Sequence, residues 1–318
     1  MSLPAARSRY LSWLANALAK PTFTTSTQAR GHAVLGYATG YDSADIAPFV
    51  RSLRSVFGGV VALVVDDRPD VSSLLAQHDV IAIVPDRIAG WAPHPVMQRF
   101  VAFDRLLRGW PDVDGVLITD VRDVIFQADP FSPRPERLLA FQEYEAGVLA
   151  DHAFNMKYIR ALAGADLAAA VSQRPCVCVG TVMGPRDEVL RLCRTILMLA
   201  TVPRSAIGGA FGADQAACNL AIHLGMVDAQ LVPNYGRVAT LGMTAGANLT
   251  FADGRVVNPD GTISAVVHQH DRHPHLAEAV HALWGGGFEH RQRVQPKSFT
   301  ERWYKLKQSV ARRLPEQR

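Results

Sequence analysis

The sequence predicts an α/β fold built on a doubly wound, mostly parallel sheet flanked by helices, with a less regular C-terminal half. Three observations carry this. Apolar runs alternate with helical patterns through the first 131 residues, the fourth run ends on two acids, and 48% hydrophobic against 19% charged residues suffices to bury a core.

Residues 1–30 read as a short helix with Tyr10, Leu11, Leu14 and Leu18 on one side, then a Thr/Ser-rich linker. HAVLGYATG is a strand ending in small residues, and SADIAPFVRSLRSVF is a helix with Ile46, Phe49, Val50, Leu53 and Phe57 at helical spacing. VVALVVDD is a buried parallel strand; DVSSLLAQH is a short helix with Asp70 as its N-cap; VIAIVP is a third strand. A helix over about 94–110 (Val96, Phe100, Phe103, Leu106, Leu107) leads to GVLITD, the fourth strand. Strand–helix alternation at this pitch means βαβ units with right-handed crossovers, and ligands in such sheets sit outside the carboxyl ends of the strands. Beyond residue 131, GVLAD, CVCVGTVMG, AQLVPN, RVVNP and ISAVVHQH look like strands. RDEVLRLCRTILMLA and ADQAACNLAIHLG look like helices, and Pro259–Gly261 marks a turn. The expected division is a helix and linker (1–30), one catalytic domain (31–288, its nucleotide-binding half 31–131 and its acceptor half 132–288) and a basic tail (289–318).

Composition narrows the function classes. Residues 289–318 hold nine Lys/Arg against three Asp/Glu, leaving 24 against 26 in the rest, so the formal net charge of +4 belongs to the tail. That argues against a nucleic-acid-binding core, which carries its own basic patch. Cys176, Cys178, Cys193 and Cys218 are too few and too clustered for a disulfide framework and fit free thiols in a reducing cytoplasm; Cys176 and Cys178 read as a buried strand in preference to a metal site, because no second ligand pair accompanies them. No apolar run approaches the ~20 residues of a membrane-spanning helix, and the first thirty residues lack a compact apolar signal segment.

The most informative stretch is VLITDVRDVIFQADPF, residues 116–131. Asp120 and Asp123 stand where an apolar strand ends, and carboxylates there are costly unless a cation or donor compensates them. Hard oxygen ligands suit Mn²⁺ or Mg²⁺, which bind through one or two carboxylates plus substrate phosphates. The alternative is a turn cap at Asp120 and an Asp123–Arg122 pair. The stretch resembles the metal-binding signature of GT-A glycosyltransferases, a DxD-like motif closing a strand and followed by D-apolar-apolar-aromatic-x-x-D-P-F. Here the acids lie three apart, as DVRD, with Asp123 matching the motif's second acid and Asp129 left to cap the turn before Pro130. The resemblance implies a GT-A-like, Rossmann-type sheet.

ISAVVHQHDRHPH puts His268, His270, His273 and His275 after an apolar strand. On spacing alone this is either a solvated His-rich loop or a zinc cluster. The GT-A resemblance implies instead that His268, the first polar residue after AVV, joins the two acids on one metal. Donor-side candidates are Thr39, Gly40 and Tyr41 in ATGYDSAD, Asp66 at the end of the second strand, and Arg122. Arg99 is either a diphosphate contact or an exposed helix-face arginine. GTVMG, with Gly180 and Thr181, resembles the segment lining the sugar pocket in related transferases, and GADQAACN resembles a DQ…N motif opening a helix in retaining families. It nominates Asp214 and Gln215 as catalytic; an N-cap is the plain alternative for Asp214.

The resulting expectation is a hexosyl transfer from a UDP- or GDP-linked sugar to a saccharide or lipid-linked hydroxyl, leaning toward retention, in surface polysaccharide synthesis. The chain would act in the cytoplasm. Phe299, Trp303, Leu306, Val310 and Leu314 place a basic amphipathic helix in the tail, either a peripheral membrane contact at the inner face or a helix packed on the domain. A sugar nucleotidyltransferase and a non-catalytic lectin-like or membrane-docking module are the rival readings. ATGYDSAD lacks the basic residue the first would use.

Overall fold

The computed structural model describes residues 3–23, 29–86, 91–144, 147–201 and 209–288. The chain opens with α1 (Leu3–Leu18) and then alternates β1 (Gly31–Tyr37), α2 (Ser43–Val56), β2 (Val60–Val64), α3 (Pro69–Gln77), β3 (Ile81–Ile83), α4 (Pro95–Gly109) and β4 (Val113–Thr119). β5 (Val124–Phe126) and β6 (Leu139–Gln142) follow, then α5 (Ala153–Val171), β7 (Val177–Pro185), α6 (Arg186–Leu199) and α7 (Ala213–His223). β8 (Gln230–Val232), β9 (Val238–Thr240), β10 (Thr250–Ala252), β11 (Arg255–Val257), β12 (Val266–His268) and α8 (Pro274–Trp284) complete it.

The central seven-stranded sheet has the order β3-β2-β1-β4-β7-β6-β8. β3, β2, β1 and β4 are mutually parallel, β7 runs antiparallel to both neighbours, and β6 pairs parallel with β8. This is the expected α/β architecture with a mostly parallel sheet, compatible with a Rossmann-like fold. A three-stranded sheet, β5-β12-β9, and the hairpin β10-β11 lie apart from it.

Strand alternation sets the layers. In β1, Ala33 and Leu35 face a core built with Trp13, Phe100 and Phe103, while Val34 faces the opposite core with Phe49, Leu53 and Phe126. A third core, with Ile125, Leu241, Val267, Leu276 and Val280, seals the small sheet against α8. The helix set apart by the sequence reading joins the first core: Tyr10 and Leu14 are buried and the Tyr10 hydroxyl donates to the Leu197 carbonyl. Leu11, expected on the buried side, faces outward because Trp13 and Ala17 complete the inner stripe.

Several local expectations change. Asp70 is not the N-cap of α3. Arg68 holds that position with Pro69 at N1, and the Asp70 carboxylate accepts from the Ser43 backbone N–H (3.1 Å) at the start of α2. GVLAD is a lone bridge at Val148 and a 3₁₀ turn, closed by the Asp151 carboxylate accepting from Val148 N (3.0 Å). α5 buries Met156, Ile159 and Leu162 before it bends at Gly164 (φ +86°), and Ala168 and Val171 after the bend. The expected tail helix, residues 299–314, lies outside the described residues. Among the described residues no helix is long and apolar enough to cross a membrane. All four cysteines are free and buried.

Candidate metal centre

The strand order doubles back between β1 and β4: β2 and β3 run to one side of β1, and β4 to the other. At such a switch point the loops after the two strands part and leave a crevice. Here a cavity of about 710 Å³ opens between Thr39 and Tyr41, after β1, and Asp120, after β4.

Four strand ends converge on it. Asp120 directly follows β4, and its N–H donates to the Gly180 carbonyl (2.7 Å), which ties it to the antiparallel β7. Asp123 directly precedes β5. β12 pairs antiparallel with β5, with His268 opposite Val124, so the imidazole arrives beside Asp123 from 145 residues downstream; the Gln269 N–H closes the corner on the Asp123 carbonyl (2.8 Å). His268 Nε2 lies 3.4 Å from Asp120 Oδ2 and 3.8 Å from Asp123 Oδ1. One ligand atom from each of the three lies within 4.8 Å of the others, a group suited to hold a metal ion.

The residues fit a cation on three counts. His268 Nε2 is buried and has no hydrogen-bond partner despite both nearby carboxylates, because neither meets it in hydrogen-bonding geometry. Second, Gly180 leaves a cradle: a Cβ there would stand 2.5 Å from His268 Cε1 and 2.7 Å from Asp120 Oδ2. Third, access is graded. The side chain of Asp120 is 37% exposed to the cavity, Asp123 14% and His268 1%, so a bound ion would meet the cavity through the acids. Burial works against charge on the imidazole, but Cys178, Asp120 and Asp123 around it raise its pKa well above the ordinary value. The thiol and the two acids together thus favour a positive charge at this point, as a proton on His268 or as a metal. Cys178 Sγ lies 3.6 Å from the other ring nitrogen, Nδ1, and fixes the ring from behind.

Arg99 is not an exposed helix-face residue. It is buried, and its guanidinium bridges Asp120 and Asp214 (2.7 Å to Asp214 Oδ2). Burial pushes the Asp120 carboxyl up, but Arg99 and His268 more than reverse this and hold it well below the usual carboxylate range. At Asp214 burial wins and the pKa rises. Arg99 therefore joins the strand end carrying Asp120 to the first turn of α7.

The other candidates separate clearly. Thr39, Tyr41, Arg122, Asp214 and Gln215 line the cavity with the metal group. Arg122 pairs with Asp45 (3.6 Å) and lies over the Tyr41 ring at 6.0 Å. Asp66 accepts from Gly40 N–H (2.6 Å), so these two brace the loop from outside the cavity; Gly40 takes φ +84° there, which a side chain resists. Thr181 is fully buried in β7. Gln215 accepts from Val179 N–H (2.8 Å) and donates to the Val177 carbonyl (2.7 Å), while Asn219 does the same for Val177. Gln215 and Asn219 thus stitch α7 to the open start of β7, while Asp214 holds Arg99. Of the downstream histidines, His273 and His275 bond the carbonyls of Leu241 and Leu249 (2.8 and 3.2 Å), and β12 ends at His268 with Gln269 left-handed (φ 62°). A zinc cluster of neighbouring histidines is not what forms.

Sequence reasoning missed Glu143, just after β6, and an aromatic rim in which Phe154 and Phe211 are 49% and 56% exposed, with His94 edge-on to Phe211. The signal for Glu143 was faint, an acid two residues beyond the short apolar run LLAF. No family model matches this chain, and no curated protein does.

Proposed function

We propose that the chain is a metal-dependent glycosyltransferase of the GT-A type, moving a hexosyl group from a nucleoside-diphosphate sugar to a saccharide or lipid-linked hydroxyl. The observation that carries this is the meeting of Asp120, Asp123 and His268 at the switch-point end of one cavity large enough for a nucleotide sugar. Mn²⁺ or Mg²⁺ held by these three residues would supply charge neutralisation for a departing diphosphate.

The chain's own residues divide the remaining work. Tyr41 offers a ring face for a base at the donor end, beside Arg122 for phosphate oxygens. Gly180 keeps the floor flat between Asp120 and His268. Arg99, with two carboxylates on its fork, fixes Asp120 and Asp214 and has little left to offer a phosphate. Asp214, buried with a raised pKa, lines the same cavity and is joined to the metal group through Arg99, which makes it the carboxyl assigned to the sugar side in this reading. On the cavity wall, the Phe154–Phe211–His94 cluster presents ring faces of the kind that pack on acceptor sugar rings.

The test is a thermal-shift panel of UDP-, GDP- and CDP-sugars with and without Mn²⁺, on the wild type and Asp123→Asn. A ligand near 100 times its Kd stabilises by about 2.7 kcal/mol. One base should give a metal-dependent shift that Asp123→Asn abolishes. A panel with no metal-dependent shift for any nucleotide sugar ends this reading.

A further inference from the structure

Glu143, on the cavity wall, belongs to a second convergence of ligating groups. Glu143 follows β6, His152 stands immediately before α5, and Cys176 immediately precedes β7. One atom from each lies within 4.8 Å of the others. Cys176 Sγ and Glu143 Oε2 are 3.3 Å apart. A tetrahedral zinc-class centre separates its sulfur and oxygen ligands by roughly 3.5 Å, given ordinary Zn–S and Zn–O lengths.

Two further features distinguish this from a chance cluster. His152 Nε2 is buried without a hydrogen-bond partner beside a thiol and a carboxylate, an arrangement that otherwise costs a desolvated nitrogen for nothing. Outer donors are also in place: Asn155 Nδ2 donates to Cys176 Sγ (3.0 Å), and Gln215 Nε2 donates to Glu143 Oε2 (3.2 Å). Groups that hydrogen-bond ligand atoms in this way orient them; without an ion the buried Cys176 thiol keeps its proton and donates it to Glu143.

We propose that Glu143, His152 and Cys176 form a second cation site, specific for a borderline-soft ion of the zinc class and separate from the Asp120–Asp123–His268 group. The donor set is the argument for zinc over manganese: thiolate and imidazole select softer ions, whereas the first group is dominated by carboxylates. Loading forms a metal–sulfur bond and releases the Cys176 thiol proton to solvent. Three protein ligands leave the fourth position to a water. The ion would pin the ends of β6 and β7 to the start of α5. This site does not depend on the glycosyltransferase reading, since its ligands and its ion are different.

The test is cobalt(II) titration of the full chain, followed by the near-ultraviolet thiolate-to-cobalt band, with zinc displacement as a second measurement. The wild type and Asp123→Asn should both show the band, and Cys176→Ala should lose it. His152→Gln, at a partly exposed residue, keeps the test open if Cys176→Ala fails to fold; it should weaken cobalt binding more than about tenfold. No band in the wild type overturns the proposal. A band that survives Cys176→Ala also overturns it, because the thiolate then belongs to another cysteine such as Cys178, beside His268.

Discussion

Gly180 carries no functional group, yet it decides whether Asp120 and His268 can stand as close as they do. A methyl at this position would overlap both side chains, so Gly180→Ala should displace the ring or the carboxylate rather than the strand, whose backbone stays paired through Thr181 to Thr119. The expected result is a fall in Mn²⁺ affinity of about tenfold to a hundredfold with an unchanged far-ultraviolet spectrum, read by titration calorimetry. Asp120 and Asp123 were legible in the sequence because two acids after an apolar strand are conspicuous. Arg99 was not: the same residue on a helix serves a ligand, the solvent or two buried carboxylates, and the choice is made by α7 arriving from 115 residues away. Gln215 and Asn219 likewise look like ligand-binding polar residues in a string, and only the open start of β7 beside them reveals what they already bond.

The junctions between elements show a similar division of labour. Asp70 lies in the first turn of α3 but spends its carboxylate on the Ser43 N–H of α2 and on Arg68. Slight burial pushes its pKa up, while these two donors pull it down from 3.8 to about 2. A carboxyl with a depressed folded-state pKa stabilises above its unfolded value and loses that contribution as the pH falls through the folded value. Asp70→Asn, in chemical denaturation, should therefore cost under about 1 kcal/mol at neutral pH, the side chain being 40% exposed. The gap from wild type should close as the pH drops from about 4 toward about 2. A gap independent of pH would assign the effect to packing. Among elements, the parallel strands and their helices were readable from continuous apolar runs set against 3.6-residue periodicity. α5 was not, because the bend at Gly164 breaks the register between its short stripe of Met156, Ile159 and Leu162 and the Ala-rich part after it, and three-residue strands such as β5 and β9 are too short to show alternation.

At the scale of the whole molecule, the three proposed ligands arrive on two different sheets. Asp120 ends β4 of the central sheet, whereas Asp123 and His268 flank β5 and β12 of the small one. An ion shared among them would act as a rivet through two plates. Apart from the ion, the sheets are held together by the packing of Val124, Phe126 and Val266 on the α2 side, and a bound ion would add a second fastening. Slow amide exchange in β9 and β12 should then become slower still on adding Mn²⁺, while β2 and β3, at the remote edge of the central sheet, should not respond. A change confined to β4, or spread evenly over every strand, would mean that the ion does not fasten one sheet to the other.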